Sequence, residues 1–281
     1  MAAPEPPRRW PDVDDDLARY LSGEVVAALG DVLGDQLAAV VLHGSLVFGD
    51  WRRPVSDIDL LVLTHDPVPV DHRPAVARAV LDLSDRRPVP GPLELSVLSA
   101  AAAAAPRHPV RYEVHASEMH REAILAGRPG PTLGGLDADL CAHLAVARAH
   151  GVSLVGPPPT DLIGEVTHGD LLDSVQADLD EVLSTGLFEP RPVYGVLSAC
   201  RALATILGRP GTLLSKEQAG AWGLERLPAA HRPLVEWALA ARRGEVEGDA
   251  PFDYEARVRF RTFVVGAGVR RRHGRRVPGL P

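Results

Sequence analysis

Three acidic residues and a glycine-serine pair carry the chemistry that can be read in this 281-residue chain. Asp57 and Asp59 stand two apart in Asp57-Ile58-Asp59-Leu60-Leu61-Val62. In an alternating strand both carboxylates project to one side, while Ile58 and Leu60 turn into a core. Two carboxylates converging on one point repel each other unless a cation lies between them, and hard oxygen ligands of this kind suit Mg²⁺ carrying a nucleoside triphosphate. Upstream, Leu42-His43-Gly44-Ser45 closes an apolar run and leads toward a helical turn. Such a junction leaves backbone N–H groups unpaired, Gly44 lets a phosphate come close, and Ser45 adds a hydroxyl donor. Glu94, in Leu93-Glu94-Leu95-Ser96-Val97, is a third carboxylate on the polar face of another strand. It is a candidate metal ligand, or a general base that takes a proton from an acceptor hydroxyl.

These side chains need strands to hold them, and the apolar periods supply the strands. Asp14 to Gly34 has the three-and-four spacing of an amphipathic helix. Leu37–Leu42, Ser56–Thr64, Leu93–Leu98, Arg111–Val114 and Val152–Val155 read as strands, separated by helices at Ala75–Leu83, Ser117–Ala126 and Leu136–His150. After the Pro- and Gly-rich stretch Pro157–Gly169, a linker, only helical periods remain: Asp170–Leu183, Val193–Leu207, Ser215–Leu227, Ala230–Arg243 and Tyr254–Val265. The predicted architecture is α+β, a mixed-sheet domain over residues 1–160 followed by an all-α bundle over 161–266 and a basic, frayed tail over 267–281.

Composition narrows the partners. The net charge of −7 disfavours nucleic acid and is compatible with a cationic small molecule. Cys141 and Cys200 lie far apart without metal-ligand spacing and read as small core residues. The amino-terminal stretch lacks the pattern of a signal peptide and no apolar run reaches membrane-spanning length, so a soluble, cytoplasmic protein is expected, with a monomer as the default. Lys216 is the sole lysine. In Ser215-Lys216-Glu217-Gln218 it falls on the first turn of a capped helix, where an anion is already favoured. Arg201 lies on a helix beside Cys200 and needs a charged partner if it faces inward.

Strand, Gly-Ser, an eleven-residue gap and a hydrophobic-flanked Asp-x-Asp, in that order, resemble the nucleotidyltransferase superfamily related to DNA polymerase beta. That resemblance implies Gly44 and Ser45 on the triphosphate, Asp57 and Asp59 on Mg²⁺, and transfer of a nucleoside monophosphate with release of pyrophosphate. Ile124-Leu125-Ala126-Gly127, Leu154-Val155-Gly156-Pro157 and Trp222-Gly223-Leu224-Glu225-Arg226-Leu227-Pro228 extend the likeness to the aminoglycoside adenylyltransferases that modify streptomycin and spectinomycin. The likeness runs from about Leu37 to Gly244. It implies Glu94 as catalytic base and third metal ligand, Arg201 and Lys216 as ATP contacts from the helical domain, and an antibiotic held between the two domains.

Departures from the family bear on the acceptor. Met119 stands where the dual-specificity members have a tryptophan, Arg191 where they have an aspartate, and Arg242 near a family tyrosine beside the nucleotide. The guanidinium groups of streptomycin want a carboxylate and a flat π-face, and Met119 with Arg191 offers neither. The expected reaction is therefore ATP- and Mg²⁺-dependent adenylylation of an aminocyclitol hydroxyl, the 9-OH of spectinomycin before the 3''-OH of streptomycin. AMPylation of a protein side chain and nucleotide binding without transfer are the alternatives.

Overall fold

Asp14 starts the first helix by accepting the Leu17 N–H at 2.9 Å, and the rod then runs in three segments. These are α1 (Asp15–Arg19), a π-helical stretch Tyr20–Val25, and α2 (Val26–Leu33), which ends at Gly34 with φ +54°. The computed structural model describes residues 13–53, 55–128, 130, 132–184, 191–247 and 253–272. It divides into two units, Met1–Thr167 and His168–Pro281.

In the first unit there follow β1 (Leu37–His43), α3 (Ser45–Phe48), β2 (Ile58–Thr64), α4 (Arg73–Arg86), β3 (Leu93–Ser99) and α5 (Ala100–Ala104). Then come β4 (Val110–Tyr112), β5 (Val114–Ala116), α6 (Arg121–Leu125), β6 (Gly135–Asp137), α7 (Leu140–His150), β7 (Val152–Val155) and α8 (Pro159–Leu162). Five strands make one sheet in the order β5-β3-β2-β1-β7, and β4 pairs with β6 in a separate ribbon. β2 and β3 are parallel, joined through α4, whereas β1 is antiparallel to β2. The starts of β2 and β3 and the end of β1 therefore meet at one edge.

Strand alternation sends side chains into two cores. Val40, Leu42, Ile58, Leu60, Leu93 and Leu95 pack with the first helices and α4. Val41, Leu61, Leu63 and Leu98 face the other way, onto Leu140, Cys141 and Leu144 of α7. Both cysteines, Cys141 and Cys200, are buried and neither is in a disulfide.

Several elements differ from the sequence expectation, and the helix expected over Ser117–Ala126 is a 3₁₀ turn, Glu118–His120, followed by α6. Arg111–Val114 is two strands rather than one. The chain breaks at Glu113, so that Tyr112 pairs with Gly135 in the ribbon while Val114 pairs with Val97 in the main sheet. The helix expected from Leu136 begins at Leu140, because the Asp137 side chain accepts the Asp139 N–H at 3.1 Å and stabilises a turn where the apolar period alone allowed a helix.

The second unit is helical: α9 (His168–Ser184), α10 (Pro192–Leu207), α11 (Lys216–Arg226), α12 (Arg232–Arg243) and α13 (Tyr254–Arg272). α10 is its centre, packed against each of the other four through Val196, Leu197, Cys200 and Leu203. α13 continues beyond Val265 to Arg272, since Phe260, Val264 and Ala267 extend one buried stripe. The remainder of the Arg-rich tail lies outside the described residues. Among the described residues no helix is long and apolar enough to cross a membrane.

Candidate active site

The edge where β1 ends and β2 and β3 begin gathers the acidic residues. Sheet register sets Asp59 directly beside Glu94 on one side and beside His43 on the other. Asp57 lies just before β2. There the loop closes as Ser56 donates its N–H to the Arg52 carbonyl at 2.8 Å and its hydroxyl oxygen accepts the Arg52 N–H at 2.9 Å. The Ile58 N–H donates to the Pro92 carbonyl at 2.8 Å, tying that loop to the start of β3. One oxygen from each of Asp57, Asp59 and Glu94 lies within 4.8 Å of the other two, and all three residues are partly buried.

Gly44 caps the short helix α3 with φ +67° and ψ −146°. Only glycine fits there on two grounds: the left-handed backbone, and a Cβ that would stand 1.8 Å from Asp59 Oδ2. The backbone at the glycine-serine junction thus lies against the carboxylate cluster, with Ser45 partly exposed at the first position of α3.

Like charge and burial dominate the electrostatics. Burial, then the negative charge of Asp59, pushes the Glu94 carboxyl up to about 8. Ionising all three carboxylates together is therefore opposed unless a positive charge joins them. A hard, all-oxygen donor set this close together, with one member unable to ionise freely, fits a divalent cation such as Mg²⁺.

Further polar residues with no role assigned in the sequence analysis lie near the trio. His43 is buried and its imidazole is held well below its usual range, first by burial and then by His143, whose ring centroid lies 5.3 Å away. His143 Nε2 stands 3.7 Å from Asp139 Oδ2. Burial alone would lower the His143 imidazole, but Asp139, Glu94 and Asp59 outweigh it and raise the group. Along the same sheet face, Ser96 Oγ and His115 Nδ1 share a hydrogen bond of 2.8 Å. Burial brings His115 down to about 4 and takes Asp137, 4.0 Å from it, up to about 6. Two signals for these residues were available: the alternation of β1, which sets His43 on the Asp59 side, and the i,i+4 spacing of Asp139 and His143 on α7.

The cationic candidates belong to the helical unit. Ser215 caps α11 with a full capping box, accepting the Gln218 N–H at 3.2 Å while Gln218 Oε1 accepts the Ser215 N–H at 3.0 Å. Lys216, half-buried on the first turn, has its Nζ 4.0 Å from the centroid of the Tyr194 ring. Arg201, on α10, is paired with Asp178 of α9 at 3.5 Å. Arg191 is exposed just before α10, and Met119 is 85% exposed in the 3₁₀ turn Glu118–His120.

An acidic trio and a glycine-serine junction on a mixed sheet define a nucleotidyltransferase, and residues 28–89 match the nucleotidyltransferase domain family. Residues 161–266 match the family described as aminoglycoside adenylyltransferase, C-terminal domain. The chain is 32% identical over 238 residues to an aminoglycoside (3'') (9) adenylyltransferase of Escherichia coli, covering 80% of this chain and 84% of the relative. It belongs to the aminoglycoside adenylyltransferase family. A spectinomycin 9-adenylyltransferase of Staphylococcus aureus is 27% identical over 220 residues, which cover 77% of this chain and 82% of that protein. The fold matches the crystal structure of a spectinomycin adenyltransferase from Enterococcus faecialis, solved with ATP and spectinomycin. Its TM-score is 0.73 at 19% identity, over 89% of this chain and 98% of that one.

Proposed function

We propose that this enzyme transfers AMP from ATP to a hydroxyl of an aminoglycoside or aminocyclitol antibiotic, with spectinomycin preferred to streptomycin. The observation that carries this reading is the meeting of the Asp57, Asp59 and Glu94 carboxylates against the Gly44 backbone in a chain of this family. Asp57 and Asp59, with Glu94, would hold Mg²⁺. When bound, the ion supplies charge neutralisation for the triphosphate and Lewis-acid activation.

The chain's own residues do the rest. Gly44 and Ser45 seat the phosphates, and Lys216 and Arg201 add positive charge to them from the helical unit. Glu94 takes the proton of the acceptor hydroxyl as its oxygen bonds to the α-phosphorus, the bond to the β-phosphate oxygen breaks, and pyrophosphate leaves. With the positive charge of Mg²⁺ beside it the Glu94 carboxyl would ionise, as a base that takes up that proton must. Net negative charge favours approach of a cationic acceptor. The compartment is the cytoplasm, where ATP is supplied, and the working state a monomer.

The acceptor preference rests on Met119 and Arg191, since an exposed thioether and an exposed guanidinium give streptomycin neither a π-face nor a counter-charge. Spectinomycin, which lacks guanidinium groups, does not need either. The E. coli relative's name carries both regiochemistries, and the S. aureus relative's name only the 9-position.

The test is Mg²⁺-dependent pyrophosphate release from ATP by the purified chain, with each antibiotic in turn. Release with spectinomycin, roughly tenfold or more above that with streptomycin and abolished by chelation, is the expected result. Faster turnover of streptomycin overturns the preference. Folded protein that turns over no aminocyclitol overturns the function.

A further inference from the structure

We propose that Tyr194 is the positioning residue for Lys216, fixing the ammonium by its ring so that the chain's sole lysine and Arg201 present their charges along one stripe of α10. This rests on the reading of Lys216 and Arg201 as triphosphate contacts, and deepens it by assigning a residue whose task is to aim one of them.

The geometry comes from two helices. Lys216 is the first residue of α11, where the Ser215 capping box fixes the backbone but leaves a four-carbon side chain with many rotamers. Its Nζ lies 4.0 Å from the Tyr194 centroid, well inside the roughly 6 Å reach of a cation–π contact. Tyr194 is on α10, partly buried, and seven residues from Arg201. Seven residues are nearly two full helical turns, so Tyr194 and Arg201 share a face, about 10 Å apart along the axis.

The kind of contact matters. An aromatic face holds the ammonium through the ring quadrupole and brings no counter-charge of its own. The ring also removes rotamer freedom before ATP arrives, and that ordering would otherwise be subtracted from the binding energy. Arg201 is held the other way, by the Asp178 carboxylate at 3.5 Å.

The experiment is calorimetric binding of Mg·ATP to the full chain and to Tyr194→Leu, Tyr194→Phe, Lys216→Met and the Tyr194→Leu/Lys216→Met double variant, with thermal melts without nucleotide as the folding control. Lys216→Met is expected to weaken Mg·ATP by roughly ten- to a hundredfold, and Tyr194→Leu by roughly three- to tenfold. Tyr194→Phe, which keeps the ring, should recover most of that loss. The double variant should bind no worse than Lys216→Met, because without the ammonium the ring has nothing to aim. In turnover with spectinomycin, the Tyr194→Leu loss should fall on the KM for ATP and not on the KM for the acceptor. The proposal is overturned if Lys216→Met weakens binding while Tyr194→Leu does not, if Tyr194→Leu weakens it equally with and without the lysine, or if Phe fails to rescue. Unchanged binding in Lys216→Met removes the underlying reading of the lysine, and the proposal with it.

Discussion

The acidic edge of the sheet and the cationic face of the helical unit are built in opposite ways. Asp59 and Glu94 are set side by side by backbone register, and Gly44 lies against Asp59 in a left-handed backbone, so the points from which both carboxylates project are fixed by the sheet. Lys216 and Arg201 are long side chains on separate helices, aimed by Tyr194 and Asp178. Like charges are forced together in the first region, while in the second each cation has its own holder. On the roles proposed above, the sheet edge holds the groups that meet the reacting atom, and the helical unit adds charge to the polyphosphate through long side chains. Changes at the edge should therefore act on kcat, and changes on the helical face on ATP affinity.

The largest effects test the edge. Glu94→Gln keeps size and removes both the proposed base and one of the three carboxylates proposed to hold Mg²⁺, and should lower kcat by roughly 10²- to 10⁴-fold and raise the Mg²⁺ concentration needed for turnover. Measured kcat and its Mg²⁺ dependence for Glu94→Gln and Asp59→Asn check this. If Glu94→Gln turned over like the wild type, the acid edge would not be the chemical centre. Gly44→Ala comes next. The added Cβ would collide with Asp59 Oδ2 in a backbone that alanine tolerates poorly, at a strain of about 1–3 kcal/mol. Lower melting temperature together with turnover reduced roughly a hundredfold is expected. A well-folded, active Gly44→Ala would mean that the junction relaxes, and with it the claim that register is rigid here.

How much of this could be read in the sequence follows the same division. Alternation in Ile58–Val62 and Leu93–Leu98 was enough to assign faces to Asp59 and Glu94, because a period of two leaves no choice once Ile58 and Leu60 are buried, whereas Asp57 lies before the strand and is placed by the loop at Ser56. That Asp59 and Glu94 are neighbours in a parallel pair was not in any local pattern, since strand order depends on how α4 packs. The His43, His143 and Asp139 group was missed for the same reason: its members come from β1 and α7 and meet only after folding. The start of α7 was misjudged because the Asp137 turn outweighs apolar period. Lys216 was placeable from its capping box, but its ring partner on α10 was not.

A smaller effect sharpens the electrostatic side of the comparison. The Glu94 carboxyl is raised to about 8 when folded, against an ordinary 4.5. Between those values the folded chain binds more protons than the unfolded one, so this group makes stability fall as pH rises, by at most about 1.4 kcal/mol per pH unit. Asp137 and the depressed His115 titrate lower, while the raised His143 imidazole acts in the same direction, so the Glu94 contribution is read above about pH 6.5 as the difference between the wild type and Glu94→Gln. Thermal melts in EDTA from pH 6.5 to 9 should show a downward slope that is shallower in Glu94→Gln, and Mg²⁺ should raise the wild-type melting temperature most at the alkaline end. Equal slopes in the two proteins would mean that Glu94 ionises freely and the carboxylates are not in conflict.

The smallest effect separates the two ways of holding a cation. Arg201 is 39% and Asp178 22% exposed, so their ion pair is worth no more than about 1 kcal/mol to stability. On the role proposed for Arg201, ATP competes with that carboxylate for the guanidinium. Asp178→Asn keeps a hydrogen-bonding partner and removes the counter-charge, so it should tighten Mg·ATP by about two- to threefold and leave the melting temperature nearly unchanged. Tyr194→Leu should do the reverse, because the ring supplies orientation without counter-charge. Calorimetry on both variants at low and moderate salt reads the two signs. If Asp178→Asn instead weakened ATP as Tyr194→Leu does, both partners would be serving orientation alone, and the distinction between a holder that cancels charge and one that preserves it would disappear.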